Sequence, residues 1–142
     1  MPDQTIYPLF VYGSLMSGFK SPAYEYISRF FNLIGKAKVK GKLYDMGEYP
    51  AAIPTNDDGF IQGELYQIKN EAEFSWAIGQ LDDYEGVTPE PGEEQLYRRE
   101  LASILVEDKI TIAWIYWYNG SIAGKPVIAS GDVLSWRAKK ES

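Results

Sequence analysis

The chain has 142 residues, 45% hydrophobic and 15% aromatic, which suits one folded unit over residues 1–142 with a core of its own. It contains no histidine and no cysteine, which excludes Ser-His and Cys-His nucleophiles, histidine acid/base chemistry, disulfides and thiolate metal sites. A formal net charge of −6, with basic residues gathered only at Lys36 to Lys42 and Arg137 to Lys140, argues against nucleic acid as a partner.

In chain order, Ile6 to Tyr12 reads as a short buried strand ending at a glycine turn. Ser21-Pro22 starts a helix, since proline suits the first helical position, and Tyr24, Ile27 and Phe30/Phe31 fall at helical spacing. Val39 to Tyr44 is expected as a strand and Asp45 to Pro50 as a loop. Ala51 to Pro54 and Phe60 to Ile68 flank Asn56-Asp57-Asp58-Gly59, a hairpin signal.

Asn70 has the character of an N-cap, with Glu71 and Glu73 in the first turn. Phe74, Ala77, Ile78, Leu81 and Tyr84 then follow one helix face, and Gly86 suits the left-handed position past its end. Thr88 to Glu94 should be an exposed loop. Leu96 to Val106 and Ile110 to Tyr118 form a second expected hairpin, turning at Glu107-Asp108-Lys109. Its second strand is apolar on both faces, as a central strand or one in a closed, helix-covered sheet must be. Short strands with about two helices predict an α+β domain built around a small barrel. The four tryptophans are expected in core or barrel packing.

Gly13 to Ser21 nearly spells a phosphate-binding loop, but Phe19 displaces Lys20 from its place after the second glycine. Two readings stay open for the turn. Its backbone N–H groups hold a carboxylate or oxyanion, with Gly13 allowing close approach, or it is a strand-to-helix turn that simply needs glycine.

With imidazole and thiol excluded, proton transfer falls to a carboxylate, a lysine, a tyrosine or water. Glu85, in Leu81-Asp82-Asp83-Tyr84-Glu85-Gly86, is the leading candidate. It faces the negative end of the helix dipole, has Asp82 and Asp83 nearby, and has Tyr84 as an apolar neighbour. All three raise a carboxyl pKa towards the neutral range that a general base needs. Stability alone would favour Lys or Arg at this place.

Four segments together carry a resemblance: Phe10-Val11-Tyr12-Gly13-Ser14-Leu15, Gly41 to Ala51, Leu81 to Gly86, and Tyr97-Arg98-Arg99. In this order they resemble the gamma-glutamylcyclotransferase-like superfamily, nearest the AIG2-like and gamma-glutamylamine cyclotransferase group, over nearly the whole chain. The resemblance implies a small mixed β-barrel with flanking helices and a cavity at one end. It implies that Tyr12, Gly13, Ser14 and Leu15 grip the alpha-carboxylate end of a gamma-glutamyl group, and that Glu85 is the catalytic residue. Tyr97 and Arg99 align with a tyrosine and arginine common in the family, and Arg99 is expected to be structural, pairing with a buried carboxylate.

The implied reaction is closure of the substrate onto itself. Its alpha-amino group attacks its own gamma-carbonyl, giving 5-oxoproline and a free amine, with no metal or cofactor needed. The loops around Met46 to Pro50 and Thr88 to Glu94 would shape the leaving-group pocket, while Glu90, Glu93 and Glu94 read as a solvated loop. A non-catalytic binding domain on the same scaffold, or removal of a gamma-glutamyl protecting group, remains an alternative. Met1-Pro2-Asp3-Gln4 does not resemble a signal peptide, and no apolar run approaches the roughly 18–20 residues of a membrane span. A cytoplasmic protein with a small-molecule partner, no membrane or nucleic-acid partner, and a monomeric state by default is the expectation.

Overall fold

Lys36-Ala37-Lys38-Val39-Lys40-Gly41-Lys42-Leu43 alternates lysine with small or apolar residues at the two-residue period of a strand, and the fold is built on it. The computed structural model describes residues 6–13, 22–47, 49–87, 91–92 and 94–141. Along the chain these give β1 (Leu9–Val11), α1 (Pro22–Phe30), β2 (Phe31–Asp45), β3 (Pro50–Pro54), β4 (Phe60–Ile68), α2 (Phe74–Glu85), β5 (Tyr97–Val106), β6 (Lys109–Tyr118), β7 (Val127–Ile128) and α3 (Val133–Glu141).

Five strands close into a barrel. β2 pairs with β4, β4 with β1, β1 with β6, β6 with β5, and β5 returns to β2. The β1–β6 contact is parallel and the others antiparallel, so the barrel is mixed, as expected. Phe10 pairs with Leu65, Ala37 with Gly63 and Val39 with both Ile61 and Ile104, which sets small and apolar side chains towards the interior. Gly63 is needed for space: a Cβ there would stand 2.5 Å from Cζ of Phe10 and collide with the carbonyl of Val11. β3 and β7 continue the sheet from residues 41–45 and 43–44 of β2.

The β5–β6 hairpin forms as the sequence indicates, and β6 lies between β1 and β5 with Ala113 to Trp117 buried. The side chain of Asn70 accepts from Ala72 N at 3.0 Å, starting a 3-10 turn over Glu71–Glu73 that runs into α2. Gly86 ends α2 at φ 74°, and the N–H of Val87 reaches back to the carbonyl of Asp82 at 2.9 Å.

Several expectations are corrected. β2 begins eight residues before Val39, so Phe31 belongs to it rather than to α1. β3 and β4 do not pair with each other across Asn56 to Gly59; each pairs with β2, which lies between them. β1 is confined to three residues after Pro8, which has no N–H to give a ladder. On α2, Tyr84 is 57% exposed, and Asp82, at 6%, takes its place on the buried face. Trp114 and Trp117 are buried, but Trp76 is exposed and stacks edge-on over Phe30 at 5.2 Å, joining α2 to α1. The helix α3 was not anticipated, because Lys139, Lys140 and Glu141 dilute any apolar stripe.

The hairpin turn places Glu107 at φ 57°, a left-handed conformation costing a non-glycine residue about 1–2 kcal/mol. Glu107→Gly should raise the melting temperature by about 1–3 °C, the relief exceeding glycine's entropy cost, and Glu107→Val should lower it. Thermal unfolding followed by circular dichroism decides the matter.

Candidate active site

Four elements bring their polar groups to one place. β1 ends at Tyr12, which is 8% exposed and donates its hydroxyl to the carbonyl of Tyr116 on β6. On β5, Tyr97 and Arg99 share a face by their two-residue spacing, opposite Tyr118 and Tyr116 of β6. From α2 come Asp82 and Glu85, three residues apart and so neighbours on the helix surface.

Asp82 is the anchor. Arg99 binds it with both limbs, Nε to Oδ1 at 2.8 Å and Nη2 to Oδ2 at 3.1 Å, and Tyr116 donates its hydroxyl to Oδ1 at 2.8 Å. Both charged side chains are almost fully buried. The guanidinium also lies 4.3 Å over the ring of Trp114. Removing one partner of such a pair costs about 3–5 kcal/mol, because the other charge is left buried and alone. Arg99 thus holds a buried carboxylate, as expected, and that carboxylate is Asp82.

Glu85 keeps some contact with solvent, but its carboxyl group is desolvated, and its pKa is pushed up to about 7. Burial is the main cause and the charge of Asp82 the second. The sequence pointed to Asp82, but not to burial as the larger effect. The same carboxylate is felt from three strands or their ends. Burial first, then Tyr97 and Glu85, raise the hydroxyl of Tyr12. Burial and then Glu85 raise that of Tyr97. Tyr116 is raised by burial, then by the charge and hydrogen bond of Asp82, with Arg99 opposing and Glu85 adding a smaller push. All three tyrosines therefore remain protonated donors at neutral pH, while Glu85 can exchange a proton there.

Gly13 adopts no left-handed backbone, and among the described residues a Cβ on it would meet nothing within 4 Å. No described residue packs closely enough to demand glycine at that place. Ser14 and Leu15, with the rest of the loop to Ser21, lie outside the described residues, as do Glu48, Thr88 to Glu90 and Glu93. Of the expected leaving-group loops, Tyr49 is placed. Its hydroxyl is 3.4 Å from that of Tyr118, whose ring meets Tyr97 edge to face at 5.7 Å. Among the described residues no group of three Asp or Glu side chains is arranged to hold a metal ion.

Sequence reasoning passed over Asp82 as a buried residue, and Tyr116 and Tyr118 as neighbours of the site. A signal existed. Tyr116 and Tyr118 sit two apart in an otherwise apolar strand, on the face that carries Tyr97 and Arg99.

The family model for gamma-glutamyl cyclotransferase, AIG2-like, matches residues 9–138. A gamma-glutamylcyclotransferase family protein of Escherichia coli, YtfP, is 31% identical over 127 residues, covering 89% of this chain and 95% of its own. The fold resembles that of YkqA from Bacillus subtilis, at TM-score 0.70 and 25% identity, covering 96% of this chain and 43% of the other. It also resembles an AIG2-like protein of Mus musculus, at TM-score 0.62 and 21% identity, covering 83% of this chain and 80% of the other. With that family model spanning most of its length, the chain belongs to the AIG2-like gamma-glutamyl cyclotransferase family.

Proposed function

We propose that this protein converts a gamma-glutamyl amine or gamma-glutamyl amino acid into 5-oxoproline and a free amine, with Glu85 as the general acid and base. The observation that carries this reading is the Glu85 carboxyl, desolvated, titrating at about 7 and electrostatically linked to Tyr12 beside Gly13. Tyr12, Gly13, Ser14 and Leu15 form the substrate-binding turn, where backbone N–H groups at Gly13 to Leu15 take the alpha-carboxylate. Gly13, which no described residue requires, suits a substrate that passes close to the main chain.

The chemistry needs little from the protein beyond position and one proton carrier. Folding the substrate so that its amino nitrogen faces its own gamma-carbonyl removes an entropic barrier of several kcal/mol. Glu85 takes a proton from the alpha-ammonium, and the freed amine attacks the carbonyl carbon. The new C–N bond closes the five-membered ring, and the bond to the leaving nitrogen breaks as Glu85 returns its proton. The attacking nitrogen goes from ammonium to ring amide, losing two protons. The leaving nitrogen gains two and departs as an ammonium ion. Tyr97, held protonated near Glu85, is a donor for charge that develops on the carbonyl oxygen.

The test is release of 5-oxoproline from a panel of gamma-glutamyl amines and dipeptides. The wild type should act on at least one member, with kcat/KM rising about tenfold per pH unit below about 7 and levelling above it, as Glu85 ionises. Glu85→Gln should lose that release by at least about a hundredfold while still binding substrate. Inactivity of the wild type towards the whole panel would make the protein a binder.

Glu85 also leaves a mark on stability. Its pKa in the fold, about 7, lies above the ordinary 4.5, so the folded state holds the proton more tightly than the unfolded state. That contribution is complete below pH 4.5 and is lost as pH rises through about 7. Glu85→Gln has no such loss. Its stability relative to wild type should therefore climb across this window by at most about 3 kcal/mol, read as the difference in melting temperature at pH 5 and pH 8.

Gly13→Ala separates the two readings of the turn. The melting temperature should stay within about 2 °C of wild type while KM rises about tenfold or more, the outcome for a methyl group set against the substrate. A large loss of stability with KM unchanged would return Gly13 to a purely structural role.

A further inference from the structure

A concavity lies beside the short β2–β5 closure of the barrel. β2 and β5 pair at only two positions, Lys38 with Leu105 and Val39 with Ile104. Beyond these the strands part. β2 goes on to pair with β3 along residues 41–45, and β5 runs from Ser103 back to Tyr97 with β6 alone as its partner among the described residues. The gap between them is a groove of about 400 Å³.

The groove's walls indicate what it can hold. Lys38, Val39 and Lys40 line one side, and Glu100, Leu101, Ala102 and Ser103 the other. Consecutive strand residues point to opposite faces, so four in a row line one cavity only where it follows the strand's edge. Along that edge the main-chain N–H and C=O groups of alternate residues have no partner strand among the described residues. Such an edge is a template for another extended backbone. Leu101 and Ile110 supply an exposed apolar wall. The charge of the rim is positive: Glu100 is held by Arg98 at 3.0 Å, while Lys38 and Lys40 form no ion pair among the described residues.

We propose that this groove docks an extended peptide segment of a partner protein, which adds as a strand beside residues 100–103 of β5. Lys38, Leu105 and Ile110 are paired across the sheet and share a face with Leu101 and Lys40. Alternate side chains of the added strand therefore meet them, apolar ones against Leu101 and Ile110 and acidic ones against Lys38 and Lys40. A small apolar anion would leave the strand edge unpaired. A second copy of this chain would offer, from the same edge, only a Glu100 already engaged by its arginine.

The test uses the peptide acetyl-Val-Ser-Val-Ser-Glu-Ser-Glu-amide, whose valines and glutamates fall on one face, titrated into the isotopically labelled full chain. Amide resonances of Glu100 to Ser103 should shift and their hydrogen exchange should slow. N-methylation of the valine nitrogens, which deletes main-chain donors and spares the side chains, should abolish both effects. Lys38→Glu with Lys40→Glu should weaken binding about tenfold or more at unchanged melting temperature. If the double change unsettles the fold, Lys40→Gln at an exposed position should act in the same direction. Four results overturn the proposal: equal binding of the methylated peptide, protection by decanoate but not by peptide, protection without peptide that vanishes on dilution, or no shift at millimolar peptide.

Discussion

The clamp on Asp82 is the interaction on which the rest of the site depends. A carboxylate is buried at such a depth only when paired and hydrogen-bonded, and here one arginine supplies two donors and one tyrosine a third. Loss of either charge of the Asp82–Arg99 pair would cost about 3–5 kcal/mol, a large share of the 5–15 kcal/mol that holds a typical domain together. The clamp therefore fixes the last turns of α2 against β5 and β6. Glu85, on the next turn, has little freedom to swing away.

The same buried charge acts on chemistry as well as on position. Asp82 stands second to burial among the causes that bring Glu85 into the neutral range. Around it the tyrosines move the other way in usefulness, since burial and nearby carboxylates keep Tyr12, Tyr97 and Tyr116 protonated. The site thus divides its labour, with several fixed donors and one group able to change its charge. Tyr12 links this arrangement to the N-terminal turn, because its hydroxyl is held by the main chain of the strand whose Tyr116 side chain holds Asp82.

Local patterns were legible where local forces decide. α2 carries its cap, its buried face and its closing glycine in adjacent residues, and the β5–β6 hairpin needs only its turn and its apolar strands. Glu85 was legible in part, since Asp82, three residues before it, raises its pKa second to burial. Asp83 and the exposed Tyr84 are not among the causes. Long-range choices were not. Asp82 looked like one more surface acid, because the arginine and tyrosine that bury it lie on other elements. The Asn56 to Gly59 turn predicted that β3 and β4 would pair, but both found a better partner in β2, whose length lets it serve strands on both edges. The two-residue alternation from Lys36 onward was available to carry β2 back past Val39, and its lysines drew attention as a charge cluster instead.

A carboxyl group whose pKa is pushed up to about 7 by burial is not a comfortable part of the fold. Each fold needs a reserve elsewhere to keep such a group desolvated, and in this chain the reserve is on the same helix. The capped start at Asn70, the four apolar residues from Phe74 to Leu81, the Asp82 clamp and the Gly86 terminus all resist the local unfolding that would let Glu85 reach water. Were any of them weakened, the helix end would fray first, and the carboxyl would relax towards its ordinary pKa before the barrel lost its shape. The raised pKa of Glu85 is then a property of helix anchoring rather than of Glu85 alone.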